Sequence, residues 1–276
     1  MSDTQPETPA GPPARKRIPR HATVSAVRRL TPHLVRVTIA GPELAELDPT
    51  GHTDSYVKLV LGELADGRPL LRAYTVRAAR HTTQGPEWDL DLVVHGDEGV
   101  GGPWATRVAP GEAVTFMGPG GGYAPAPQAP WHLLVGDDSA LPAIAAALEA
   151  LPAGAVAHAV VEVPGPEDEL PLETAADLTL TWVHRGHGGD AGALAATVRA
   201  AHAAGSFPAG APDVFLHGEA GCVRDLRRWV RAELEVPREL LSASGYWRRG
   251  SDDEDWRARK RDWNAAVDQD DAALAG

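Results

Sequence analysis

Along the first half of the chain apolar and polar positions alternate, and beyond residue 118 they gather into longer apolar blocks. Trp88, Leu90, Leu92 and Val94 alternate with Asp89, Asp91, Val93 and His95, the two-residue period of a half-buried strand. The same reading predicts strands over Ala22 to Leu30, Leu34 to Ile39, Ser55 to Leu61, Leu70 to Ala78 and Ala113 to Met117. Gly, Pro and Asp turns separate them with little helix between, the pattern of a small antiparallel barrel. Gly118 to Pro130, GPGGGYAPAPQAP, reads as a loop and linker.

After it the texture changes. Strands over Trp131 to Val135, Ala155 to Val163, Leu178 to Val183, Asp213 to His217 and Ser242 to Trp247 are interleaved with helices over Leu141 to Leu151, Ala191 to Ala204 and Ala220 to Leu234. Strands alternating with helices predict a parallel sheet covered on both faces, an α/β nucleotide-binding domain. The expected organisation is a disordered lead over residues 1–20, a barrel domain over 21–125, an α/β domain over 131–250, and a charged tail over 251–276 with a helix around Trp256 and Trp263. No internal repeat is visible.

Composition narrows the function. With 43% hydrophobic and 23% charged residues in 276, the chain reads as a soluble globular protein. It has no apolar run of membrane-spanning length and no apolar signal core, so the cytoplasm is the expected location and no membrane partner is expected. A net charge of -12 argues against nucleic acid as a partner and requires that any anionic ligand be met by locally placed cations. The single cysteine, Cys222, excludes an intrachain disulfide, a CxxC pair and a cysteine-held iron–sulfur cluster. Redox chemistry would need a borrowed cofactor, and Cys222 is expected to be a small buried residue.

Five stretches carry candidate chemistry. In Leu70 to Arg77, strand spacing puts Arg72, Tyr74 and Val76 on one face and Ala73, Thr75 and Arg77 on the other. A Tyr ring can stack on a flavin, a guanidinium can hold a pyrophosphate, and a hydroxyl can reach the ring's polar edge; an ordinary amphipathic strand accounts for the same residues. His95-Gly96-Asp97-Glu98-Gly99 leads to Trp104-Ala105, with a helix expected near Pro103, and reads as a phosphate-receiving turn or as a plain change of direction. Gly136-Asp137-Asp138-Ser139-Ala140 and His217-Gly218-Glu219 sit where strands run into helices, the nucleotide position of doubly wound sheets, without the GxGxxG spacing. A helix N-cap explains the first of these equally well. Gly245 to Gly250, GYWRRG, joins aromatics to cations that either cover a cofactor or close the last strand. His184 and His187 lack a third ligand with persuasive spacing, so a solvated loop is preferred and no metal site is expected.

Four of these blocks, in this order, resemble the siderophore-interacting proteins, FAD-dependent ferric-siderophore reductases of the vibriobactin-utilisation type: RAYTVR, HGDEG with Trp104-Ala105, GDDSALPAI and GYWRRG. The resemblance covers about residues 20 to 250 and implies a flavin-binding β-barrel followed by an NAD(P)H-binding α/β domain, as in ferredoxin reductases. It implies that Arg72 holds the FAD pyrophosphate, that Tyr74 packs on the isoalloxazine and that Thr75 bonds near its reactive nitrogen, with Val76, His95, Gly96, Trp104 and Ala105 completing the FAD site. Gly136, Asp137, Asp138, Ser139, Ala140, Gly218 and Glu219 would line the path of the nicotinamide cofactor. Tyr246, Trp247 and Arg248 would approach the flavin from the second domain, Trp247 joining Tyr74 and Thr75 at the reacting face. Asp138 stands where the family more often has Glu.

The implied activity takes electrons from NADPH or NADH through FAD to the Fe(III) of a siderophore or other ferric chelate and releases Fe(II). Ferredoxin is an alternative donor in some members. Lys58, with Arg248 or Arg249, is a candidate receiver of the anionic chelate, although Lys58 also fits an exposed strand position. Two other readings remain: an NAD(P)H:flavin oxidoreductase with a quinone or protein acceptor, and a non-catalytic ferric-chelate-binding flavoprotein.

Overall fold

A computed structural model describes residues 18–97, 99–186 and 192–274. The expected disordered lead therefore falls, through residue 17, outside the described residues, as do Glu98 and His187. Arg20, placed in that lead, instead opens the first strand by pairing with Phe116.

The first half closes into a barrel of six antiparallel strands in the order β1-β2-β5-β4-β3-β6. These are β1 (Arg20–Thr31), β2 (Leu34–Ala40), β3 (Tyr56–Glu63), β4 (Pro69–Thr82), β5 (Gly85–Val93) and β6 (Ala113–Gly120). Alternation drives the closure, because the inward set of Val37, Ile39, Leu59, Leu90, Leu92 and Phe116 is fully buried and leaves no sheet edge. A short helix, α1 (Gly101–Arg107), packs on β5 and β2.

Two expectations need correction here. β5 is not half-buried: Asp89 and Asp91 on its outer face are covered, Asp91 by Nε and Nη2 of a bidentate Arg36 at 2.6 and 2.7 Å, and Asp89 by Arg80 at 2.7 Å and Thr38 at 2.7 Å. The glycine- and proline-rich stretch after residue 118 is no free linker. β6 runs through Gly120, and Tyr123 is buried, its amide and that of Gly122 bound to Asp54 and its hydroxyl to Asp213 at 2.8 Å.

The second half is a five-stranded parallel sheet in the order β11-β10-β7-β8-β9. Its strands are β7 (His132–Asp137), β8 (Val156–Val163), β9 (Asp177–His184), β10 (Asp213–Glu219) and β11 (Leu241–Trp247). α2 (Leu141–Ala150) covers one face; α3 (Ala193–Ala203), α4 (Ala220–Glu233) and α5 (Asp253–Leu274) pack with the core of the other. The strand order reverses between β7 and β10, which opens a crevice at their carboxyl ends. The expected tail helix is α5, fixed by buried Trp256 and Trp263, with Trp263 Nε1 donating to Ala220 O at 3.1 Å.

The two units meet across an apolar cluster that combines Leu34 of the barrel with Tyr123, Leu134, Ile144 and Phe215, and draws in half-buried Tyr246. Around it run polar ties, Thr31 Oγ1 to Asp168 at 2.7 Å, His33 Nδ1 to Asp168 at 2.8 Å, and a bidentate Arg77–Glu149 pair. Among the described residues no helix is long and apolar enough to cross a membrane.

Candidate functional site

At the switch crevice the carboxylate of Asp137, the last residue of β7, draws three segments together. Its Oδ1 accepts from Ser139 N at 3.0 Å and from Ser139 Oγ at 2.5 Å. Its Oδ2 accepts from Glu219 N at 2.8 Å and from Trp247 Nε1 at 2.7 Å. Gly218 lets the β10 end close on it: φ is +136°, and a Cβ there would stand 2.6 Å from Asp137 Oδ2. Burial and the adjacent Asp138 push the Asp137 carboxyl up to about 6, against the pull of Ser139, Trp247 and Glu219. Asp137 thus shapes the crevice by positioning Trp247 and the β10–α4 turn, both its oxygens being engaged by the protein.

Asp138 points the other way, to Arg185 at 2.6 Å, and Arg185 also holds Glu162 at 3.0 Å. Burial raises the Asp138 carboxyl, opposed by Arg185 and by His95, which reaches it from the barrel side. On β10, the neighbour of β11, His217 bridges Tyr246 Oη at 2.8 Å and Ser242 Oγ at 2.9 Å. Burial brings the His217 imidazole down to about 3, so it is neutral, donating through one ring nitrogen and accepting through the other. Tyr246 also lies close to Asp54 and Tyr56 of the barrel. β11 therefore delivers its aromatic pair to the junction of the two units.

On the barrel side, pairing puts Arg72 opposite Leu59 and Tyr74 opposite Val57, with the core, while Ala73 and Thr75 stand opposite Lys58 and Tyr56. The alternation expected for this strand holds through Val76 and is broken by a bulge between Val76 and Ala78. Tyr74 reaches over α1: a Cβ on Gly101 would fall 1.6 Å from the Tyr74 hydroxyl. Burial raises the Tyr74 phenol well above its usual value. Arg72 Nη1 bonds Leu71 O at 2.9 Å and meets Asp253 at 2.9 Å and Glu254 at 2.8 Å. Gly96 and His95 are exposed, Trp104 is half-buried and Ala105 is buried in the barrel core.

The crevice is lined by Gly136, Asp137, Glu162, His217, Glu219, Cys222 and Arg249, with Ala140 buried where α2 begins. Cys222 is half-buried rather than buried, and burial pushes its thiol up to about 12, which keeps it inert. Lys58 stands beside Tyr56, its Nζ 5.9 Å from the ring, on the barrel, whereas Arg249 lines the crevice and Arg248 is exposed. The structure does not join these three cations into one cluster. His184 bonds Glu169 at 2.7 Å, and no metal-holding group occurs among the described residues. Sequence reasoning passed over Arg185 and the pair Asp253 and Glu254, and it named His217 only as part of a strand-to-helix turn without a role of its own. Arg185 lies within the HRGHGGD motif, where the histidines drew attention instead.

This fold, a closed barrel followed by a parallel-sheet unit with its crevice facing the junction, is that of ferredoxin reductases. The ferredoxin reductase of carbazole 1,9a-dioxygenase superposes with a TM-score of 0.62 at 17% identity, covering 85% of this chain and 71% of that one. The siderophore-interacting protein SipS of Aeromonas hydrophila superposes at 0.76 with 32% identity, over 90% of this chain and 99% of its own. The model of the siderophore-interacting FAD-binding domain matches residues 23–66 and 61–123, and that of the siderophore-interacting protein matches residues 129–250. The chain belongs to the siderophore-interacting protein family. An uncharacterised protein of Mycobacterium tuberculosis is 42% identical over 88% of this chain and 95% of its own length. The ferric vibriobactin reductase ViuB of Vibrio cholerae is 32% identical over 80% and 86%.

The barrel rim fits FAD. Thr75 is 6% exposed and its hydroxyl has no hydrogen-bond partner among the described residues, and the same holds for the indole of half-buried Trp104. Polar groups left unanswered on a rim beside aromatic surface suit a flat ligand with polar edges.

Proposed function

We propose that the protein is an FAD-dependent ferric-siderophore reductase that takes electrons from NADPH or NADH and releases Fe(II) in the cytoplasm. The observation that carries this reading is the bonding of β11 to both arms of the switch crevice, Trp247 to Asp137 and Tyr246 to His217, while Tyr246 packs in the cluster that joins the barrel. A nicotinamide donor in that crevice would lie against the junction where the FAD-binding barrel ends.

Bound FAD would supply the conversion of a two-electron donor into one-electron steps that ferric iron accepts. Arg72, Tyr74, Thr75, Val76, His95, Gly96, Trp104 and Ala105 would hold it, Arg72 through its phosphates and Thr75 through its free hydroxyl. Gly136, Asp138, Ser139, Ala140, Gly218, Glu219 and Arg249 would border the donor, with Asp137 orienting Trp247. Tyr246 and Trp247 would exclude water from the junction. Of the candidate cations for the chelate, Arg249 belongs to the crevice, which leaves Lys58 and Arg248 to meet an anionic ferric complex on a chain of net charge -12.

The test is spectroscopic. The purified protein, incubated with FAD, is expected to show flavin absorbance that bleaches anaerobically on NADPH or NADH and returns when a ferric siderophore is added with a ferrous trap, as the trapped Fe(II) complex accumulates. A protein that takes up no flavin, or whose reduced flavin ignores ferric chelates but reoxidises on a quinone, overturns the proposal.

A further inference from the structure

The tail helix meets β4 at two adjacent residues, Leu71 and Arg72. α5 is anchored on the second unit by Trp256 and Trp263 and by Arg224, whose guanidinium holds Asp270 at 2.6 and 3.0 Å. Its first turn reaches the barrel, where Asp253 and Glu254 converge on Arg72 Nη1 and Arg257 donates to Leu71 O.

Acidic residues in a first helical turn ordinarily answer the helix dipole. That need does not explain this pair. Asp252 already caps the helix, accepting from Asp255 N at 2.8 Å, and Asp255 faces solvent beside Arg259 at 3.9 Å. Asp253 and Glu254 turn to Arg72 instead. The fit is imperfect: Asp253 Oδ2 is sealed from solvent with no hydrogen bond, answered by ion pairs with Arg72 Nη1 at 2.9 Å and Arg257 at 3.8 Å and by the more distant charge of Lys260. A phosphate group offers a guanidinium the two parallel bonds that this contact lacks.

We propose that the acidic first turn of α5 is an internal counter-anion at Arg72 that competes with the diphosphate of the flavin cofactor. The inference rests on the assignment of Arg72 to that diphosphate. Counting Asp252 and Lys260, which also act on Asp253, three carboxylates face three cations, so an arriving diphosphate meets an already neutralised Arg72. Docking of the α5 turn and tight hold of the flavin phosphates then oppose each other, and by linkage each weakens the other by the same factor.

The experiment measures FAD affinity by quenching of flavin fluorescence on the full chain, comparing wild type with the double variant Asp253→Asn, Glu254→Gln. The variant is expected to bind FAD about tenfold more tightly at low salt, the gap narrowing as salt screens the carboxylates. Riboflavin, which has no phosphate, is expected to bind both proteins alike. In the wild type, saturating FAD should speed amide exchange at residues 253–257 while leaving residues around Trp263 unchanged. Equal or weaker FAD binding by the variant, or an equal gain with riboflavin, overturns the inference while the flavin assignment stands. Failure of both proteins to bind FAD overturns the assignment itself.

Discussion

A single methyl group tests how β4 is held. Gly101 is the first residue of α1, and Tyr74 lies so close over it that a Cβ would sit 1.6 Å from the hydroxyl and 3.0 Å from the ring carbon bearing it. Gly101→Ala must therefore displace either the phenol or the helix, at a cost of about 1 to 3 kcal/mol. FAD affinity is expected to fall at least severalfold. Tyr74→Phe removes the atom of worst overlap, so adding it to Gly101→Ala should restore part of the lost stability, a non-additivity that a double-mutant cycle on thermal unfolding would read. Strictly additive effects would mean that the two residues do not meet. Sequence alone placed Gly101 in a glycine-rich turn and Tyr74 in a candidate flavin motif, but their contact spans separate elements and leaves no mark in local periodicity.

At the scale of elements, what was legible followed from period and punctuation. The alternation of Trp88 to Val94 and the strand–helix rhythm after residue 130 were enough to place the barrel strands, the parallel sheet and the tail helix. What escaped depends on partners far along the chain. β4 continues past Ala78 through charged residues because Arg80 is answered by Glu87 and Asp89 on the next strand. Tyr123 looked like part of a spacer because Asp54 and Asp213, which pin it, are distant in sequence. α5 combines both cases, since its two tryptophans signal packing while the target of its acidic turn, Arg72, lies 182 residues earlier than Glu254. Trp256 packs edge-on to Trp263 at 5.9 Å and lies under Gly245, where a Cβ would come within 2.9 Å of the indole. Trp256→Ala is expected to lower stability by about 3 to 5 kcal/mol and to open α5 to protease before the rest of the chain. Cleavage no faster than in wild type would show that α5 is held by its ion pairs rather than by this side chain.

For the whole molecule, the proposed electron transfer across the junction would require that the two units hold one relative placement, and the structure ties them with a carboxylate whose protonation can be followed. Asp168, on the β8–β9 connection, reaches over to the barrel's first turn, accepting from Thr31 Oγ1 at 2.7 Å, from His33 N at 3.1 Å and from the His33 ring at 2.8 Å. Burial works against its charge, but these hydrogen bonds outweigh it and hold the carboxyl below the usual carboxylate range. A carboxyl depressed on folding stabilises fully above its unfolded pKa, about 4, and gives that stability up as pH falls through the lower folded value. Asp168→Asn should therefore cost about 1 to 3 kcal/mol near neutrality, with a gap in unfolding temperature that stays constant from pH 7 to about pH 5 and closes below about pH 4. Because Asp168, Thr31 and His33 do not line the crevice, the variant's nicotinamide affinity should be unchanged while its rate of flavin reduction falls. A gap in unfolding temperature that widens on acidification, or a loss of donor affinity with the reduction rate intact, would remove Asp168 from the part of keeping donor and flavin sites in register.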